Sequence, residues 1–188
     1  MSKLKNEKKI INRGTGAGGH MTNHNGLNYE EITSLKTEYK LLENERGNNF
    51  CKIKFSINDK IFIKLCKANL FKYMKKKNEL SNIIPASGCK NPDEVYLDEE
   101  NKKLFIIEKK FQQTSGSVDE KIQTGVFKKF HYSQLFQNYD IRYIYCLSDW
   151  FKKKEYSSVL EYLANNDVIV FFGSSNDYKE RLISLIST

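Results

Sequence analysis

PDEVYLDEENKKLFIIEKK, residues 92–110, holds an acid, an alternating apolar run, an acidic turn and a second apolar run ending in Glu-Lys-Lys. Alternation on both sides of a short polar turn is the pattern of a β-hairpin. With the tip at Glu100-Asn101, paired residue numbers sum to 201, which sets Asp93 directly opposite Glu108. The two carboxylates then share one face, with Cβ atoms ~5 Å apart. Lys110, two residues beyond Glu108, projects from that same face, whereas Glu94, Ile107 and Lys109 point to the other. Carboxylates this close repel and shift a pKa unless a cation lies between them. A hard, oxygen-preferring ion such as magnesium is the natural occupant. An ammonium beside it can hold or activate a water for attack on phosphorus.

Outward from the hairpin, the chain divides into a basic Gly- and Asn-rich arm, residues 1–26, and a folded region, 27–188. The arm is expected to be flexible or ordered only by a partner. From Asn28 a helix is predicted through "NYEEITSLKTEYKLLENERG", with Ile32, Leu35, Tyr39 and Leu42 on one stripe, Asn28 and Glu31 as a capping box and Gly47 as its end. "FCKIKFSI" and "KIFIKLCKA" alternate as paired strands, and "NLFKYMKKKNEL" reads as a helix. After the hairpin, Ser117 and Glu120 form a second box ahead of a long helix, "KIQTGVFKKFHYSQLFQNY". "IRYIYCLS" and "DVIVFFGS" have the apolar continuity of buried strands, separated by the helix "WFKKKEYSSVLEYLANN" and followed by "YKERLISLIS". The expected class is α/β, with a mixed central β-sheet flanked by helices.

With 188 residues and 39% hydrophobic content, the chain suits one ordinary domain with a substantial core. A net charge of +8 points to a polyanionic partner, either nucleic acid or an anionic membrane surface. No apolar run approaches the ~20 residues of a membrane span, and the N-terminus lacks the apolar stretch of a signal peptide, so a soluble, intracellular and cytoplasmic protein is expected. Cys51, Cys66, Cys89 and Cys146 are widely scattered, which fits reduced core thiols rather than a zinc site or disulfide frame.

Pro92-Asp93 followed by Glu108-Lys109-Lys110 resembles the signature of the PD-(D/E)xK nucleases, the superfamily of many type II restriction endonucleases and junction resolvases. The predicted element order over residues 27–173 resembles that family's core. What the resemblance implies is metal-dependent hydrolysis of a phosphodiester to 5'-phosphate and 3'-hydroxyl ends. Asp93, Glu108 and the main-chain carbonyl of Lys109 would bind Mg2+, with Mn2+ as a substitute. Lys110 would position the attacking water. The resemblance also nominates Glu30, at the end of "NGLNYE", as reaching the metal directly or through water, and Lys121 and Gln123 as polar residues on the helix after the E-x-K strand. The expected protein is a restriction-like enzyme cutting duplex DNA at specific sites as a homodimer, with two-fold symmetry giving one active site per strand. The alternatives are a structure-selective nuclease, such as a junction resolvase or repair enzyme, and a catalytically silent DNA-binding module.

Elsewhere the residues support simpler readings. "GTGAGG" at 14–19 fits G-x-G-x-x-G, but no buried strand precedes it, which argues against a dinucleotide site. The arm can instead wrap DNA, with Arg13, Asn23, His24 and Asn25 suited to base edges. His20 and His24 have helical spacing, yet the surrounding glycines argue against a helix there. "DEE" at 98–100 reads as an exposed acidic turn, and the basic runs "KYMKKKNE", "FKKFH" and "WFKKKEY" either follow phosphates or are simply solvated surface.

Overall fold

A computed structural model describes residues 19–44 and 50–188, with the side chains of 19–24 and 44 left outside the description. Its centre is a seven-stranded sheet whose spatial order repeats the chain order: β1 (Tyr39–Asn44), β2 (Cys51–Phe55), β3 (Phe62–Leu65), β4 (Glu94–Asp98), β5 (Lys103–Lys110), β6 (Asp140–Leu147) and β7 (Ile169–Phe172). The first five strands pair antiparallel and the last three parallel. Helices α1 (Gly19–Ile32), α2 (Asn69–Lys76), α3 (Val118–Lys121), α4 (Gly125–Leu135), α5 (Ser157–Asn165) and α6 (Tyr178–Ser187) complete an α/β architecture of the expected kind.

The pleat separates two cores. Val95 and Leu97 of β4, Leu104 and Ile106 of β5, and Tyr143 and Tyr145 of β6 meet Leu70 of α2, Leu135 of α4 and Leu163 of α5. On the opposite face, Tyr96, Phe105, Ile107, Ile144 and Cys146 meet Leu35 and the α6 residues Leu182, Ile183 and Ile186. The central strands are covered on both sides, which is why their sequences run apolar almost without interruption.

The β4–β5 ladder pairs Glu94 with Ile107, Val95 with Ile106 and Asp98 with Lys103, the register that sums to 201. The turn is less exposed than its acidity implied. Asp98 is buried, and its carboxylate accepts from the Asn101 N–H at 3.0 Å and from Asn101 Nδ2 at 2.8 Å, closing the tip. Cys89 and Cys146 are buried, Cys51 and Cys66 half-buried, and all four are free thiols.

Two helix assignments need correction. α1 begins at Gly19, so His20, His24 and Asn25 are helical despite the nearby glycines, and Asn28 lies mid-helix, where it cannot start a capping box. The helix then ends at Ile32, and residues 39–44 form edge strand β1, which pairs with β2 and carries an irregularity between Leu41 and Glu43. The 3.6-residue stripe was accidental: Ile32 and Leu42 are exposed, while Leu35 is fully buried beyond the helix end. The second capping box also fails to form. Ser117 makes no side-chain cap, and the expected long helix is divided into α3, a 3-10 turn over Ile122–Thr124, and α4.

Candidate active site

Asp93 immediately precedes β4, and the backbone there is held from two sides. The Lys67 N–H donates to the Pro92 carbonyl at 2.8 Å, while Asp93 Oδ2 accepts from the Lys109 N–H at 2.7 Å. The acid therefore takes the place of a ladder partner just where β4 begins. In a strand, the N–H and C=O of one residue face the same neighbour. The Lys109 carbonyl is thus directed to the Asp93 side of β5.

Glu108 lies on the face occupied by α4 and is only 6% exposed. Its Oε1 accepts from Lys110 Nζ at 2.8 Å and from Lys128 Nζ at 2.7 Å. Lys128 reaches it because α4 starts unusually close to the sheet. A Cβ at Gly125 would meet Tyr145 Cε2 at 2.5 Å, so only glycine permits that approach, and Tyr145 is the β6 partner of Glu108. Tyr132, Tyr143 and Tyr145 pack nearby, and burial first, then the charge of Glu108, pushes all three phenols up, keeping them neutral.

Burial raises the Asp93 carboxyl from its ordinary 3.8 to about 6, reinforced by the charge of Glu108 and opposed by the Lys109 N–H and Lys110. The negative charge of Glu30 also contributes. Glu30 sits on α1 and lines a cleft of about 380 Å3 together with Lys36, Lys64, Lys67, Asp93 and Lys109. α1 is tied there by Lys109, whose buried Nζ donates to the Glu30 carbonyl at 2.8 Å and lies 3.2 Å from Glu94 Oε2. Glu94 in turn accepts from Ser34 Oγ at 2.9 Å and pairs with Lys64 at 3.5 Å. β5 therefore uses both faces: Glu108 and Lys110 towards α4, Lys109 towards α1.

Asp93, Glu108, Lys109, Lys110 and Glu30 come together as a neighbourhood. Lys121 on α3 and Gln123 in the turn after it are exposed and do not line the cleft. Asn25 is half-buried on α1; Arg13 and the side chains of Asn23 and His24 lie outside the described residues. Lys128 belongs to "FKKFH", a run expected to follow phosphates or to be solvated. It turns inward to Glu108 instead, and its neighbour Lys129 donates to the Asn166 carbonyl at 3.0 Å.

Among the described residues no group of three or more His, Cys, Asp or Glu side chains converges as a preformed metal cage. The residues nevertheless fit a hard divalent cation. Such an ion is commonly held by one or two carboxylates and keeps several waters. An acid raised first by burial and then by its carboxylate neighbour is the electrostatic complement of that charge.

Residues 43–126 match a family model, the PD-(D/E)XK nuclease superfamily domain. The matched stretch is similar to that superfamily's domain and includes Asp93, Glu108, Lys109 and Lys110. The seven-stranded mixed sheet is consistent with that fold. No curated protein and no solved structure matches the chain.

Proposed function

We propose that this protein is a divalent-metal-dependent deoxyribonuclease that cuts duplex DNA at specific sites in the manner of a type II restriction enzyme, acting as a homodimer. The observation that carries the reading is the Asp93–Glu108 pair served by Lys110, with the Asp93 carboxyl raised to about 6 by its surroundings.

Asp93, Glu108 and the Lys109 carbonyl would hold Mg2+ or Mn2+, which when bound supplies Lewis-acid stabilisation of a phosphoryl oxygen and a water of lowered pKa. Lys110 orients the attacking water through its lone pairs and opposes the negative charge that builds on phosphorus. Lys128 shares Glu108 with Lys110 and fixes that carboxylate in direction. Glu30 adds acceptor oxygen at the α1 side of the cleft, positioned through the Lys109 bond to its carbonyl. As water oxygen bonds to phosphorus, the bond to the 3'-oxygen breaks and that oxygen takes up a proton, leaving 5'-phosphate and 3'-hydroxyl ends.

The deciding experiment incubates purified protein with unmodified plasmid and viral DNA in magnesium, beside Glu108→Gln and an EDTA control. Discrete fragments from the wild type alone are expected, and their ends give the site. A smear requiring Glu108 and magnesium would replace site-specific cutting with structure-selective or unspecific cleavage. Intact DNA despite tight binding would identify a silent DNA-binding module.

A further inference from the structure

Beyond the carboxyl ends of the parallel strands, the structure opens a second cleft, of about 440 Å3, that the carboxylate site does not use. Tyr29, Phe111 and Trp150 form aromatic walls, and Gln113, Asp149 and Ser174 supply polar groups. These residues lie on α1 and on the segments that follow β5, β6 and β7, the end of an open α/β sheet where ligand-binding loops gather. Tyr29 and Phe111 stand with ring centroids 5.4 Å apart at 44°. Gly173 allows α1 to come this close, because a Cβ there would collide with Tyr29 Oη and with Thr33.

The polar groups are fixed in direction. Asp149 accepts from Lys152 Nζ at 2.7 Å and from the Ser174 hydroxyl, which hold its carboxyl below the usual range. Gln112, 8% exposed and also lining the cleft, donates from Nε2 to Asp119 at 2.6 Å. A carboxylate only accepts, so this bond sets the amide orientation and leaves Gln112 Oε1 as a buried acceptor with no donor among the described residues. The Lys153 ammonium rests 3.1 Å from the centroid of the Trp150 ring and brings positive charge to it.

Two chain relations join this cleft to the carboxylates: Tyr29 directly precedes Glu30, and Phe111 directly follows Lys110. Those adjacencies set the aromatic walls next to the carboxylate site along both α1 and β5. Resting on the nuclease reading, we propose that this cleft takes one unstacked nucleobase of the bound strand, held against the rings and read at its edge by Gln113, Asp149 and Ser174. Aromatic faces accept any base, whereas an acceptor-only carboxylate at the edge favours a base bearing an exocyclic amino group. The base comes either from a single-stranded segment or by rotation out of the duplex, and the chemistry of the cleft is the same for both.

Trp150 is the sole tryptophan of the chain, so its emission reports cleft occupancy in the unaltered protein. The full chain is titrated with a fluorescein-labelled single strand and with the matching duplex, with calcium replacing magnesium and strand integrity checked on a denaturing gel. Anisotropy follows binding, and 2-aminopurine placed at successive positions follows unstacking. Quenching of Trp150 in step with anisotropy is expected, with a several-fold change in 2-aminopurine emission at one position. A response to the single strand alone identifies a splayed strand as the source; a response to both identifies extrusion from the duplex. Ser174→Phe, at an exposed position, fills the cleft and should abolish the quench and weaken binding about tenfold, with a melting curve matching the wild type. Binding with Trp150 emission unchanged, or a quench that persists in Ser174→Phe, overturns the base cleft and leaves the nuclease reading standing. Failure to bind either DNA overturns the nuclease reading, and this inference with it.

Discussion

Lys128 and Glu108 are joined by a 2.7 Å ion pair that crosses from α4 to β5, on the same carboxylate oxygen that Lys110 contacts at 2.8 Å. Two ammonium groups on one oxygen, beside Asp93, leave this corner of the molecule near charge balance. On the proposed function, a divalent cation arriving at Glu108 would compete with those ammoniums, and an ammonium released from the carboxylate would be free to meet a phosphate.

Lys128→Met therefore separates two quantities. Single-turnover cleavage should fall roughly 10²-fold, the scale of losing one charged donor at a reacting centre. The magnesium concentration giving half-maximal cleavage should fall several-fold, because a competitor for Glu108 has gone. Quench-flow cleavage across a magnesium series measures both, and a variant that loses rate with no change in metal dependence would exclude the competition.

Asp93 sets a pH dependence opposite to that of most acids in folded proteins. Its folded carboxyl titrates near 6 against an ordinary 3.8, so the folded state binds the proton more tightly. In metal-free protein its contribution is most favourable below about 3.8, and stability falls as pH rises to about 6, by about 3 kcal/mol in total. Asp93→Asn should flatten that slope, raise the metal-free Tm at pH 7.5 by several degrees, and abolish cleavage. Melting curves in EDTA at pH 5 and 7.5 check it; a variant melting below the wild type at pH 7.5 would refute it.

Glu94 supports the site from the other face. Removing one member of a buried ion pair typically costs roughly 3–5 kcal/mol, because the remaining charge is left without its partner. Glu94→Ala strands Lys109 and Lys64 in this way. Urea unfolding should show a loss of that size, and Glu94→Ala with Lys109→Met should cost less than the sum of the single changes.

Gly125→Ala forces its new methyl group against Tyr145. Overpacking of this kind costs about 1–3 kcal/mol, and moving α4 outward lengthens the Lys128–Glu108 pair. Chemical denaturation should register the first effect and cleavage kinetics the second, with the rate approaching that of Lys128→Met.

The hairpin was readable because its determinants are local. Pleat period and a centred polar turn fix which residues face each other, so the register from Glu94–Ile107 to Asp98–Lys103, which ends one step short of Asp93 and Glu108, needed only nineteen residues of sequence. Lys128 was hidden for the opposite reason: its target depends on a helix–sheet approach set by Gly125 and Tyr145, and in sequence it looks like any other lysine in a basic run. The stretch 28–44 misled because helical spacing of Ile32, Leu35, Tyr39 and Leu42 is satisfied by chance, while pairing of Tyr39–Asn44 with β2 decides the outcome. Glu30 was reachable only through family resemblance, since its place beside Asp93 is created by the Lys109 bond between α1 and β5.

The coincidence of spatial and chain order in the sheet also bears on how the molecule is made. Each strand docks on its immediate predecessor, so pairing can advance from one end as the polypeptide leaves the ribosome, without waiting for a distant partner. The two acids meet as soon as one hairpin closes, with only Lys110 at hand to offset them. Lys128 arrives eighteen positions later, when α4 settles, so during synthesis the repulsion comes first and its full compensation follows.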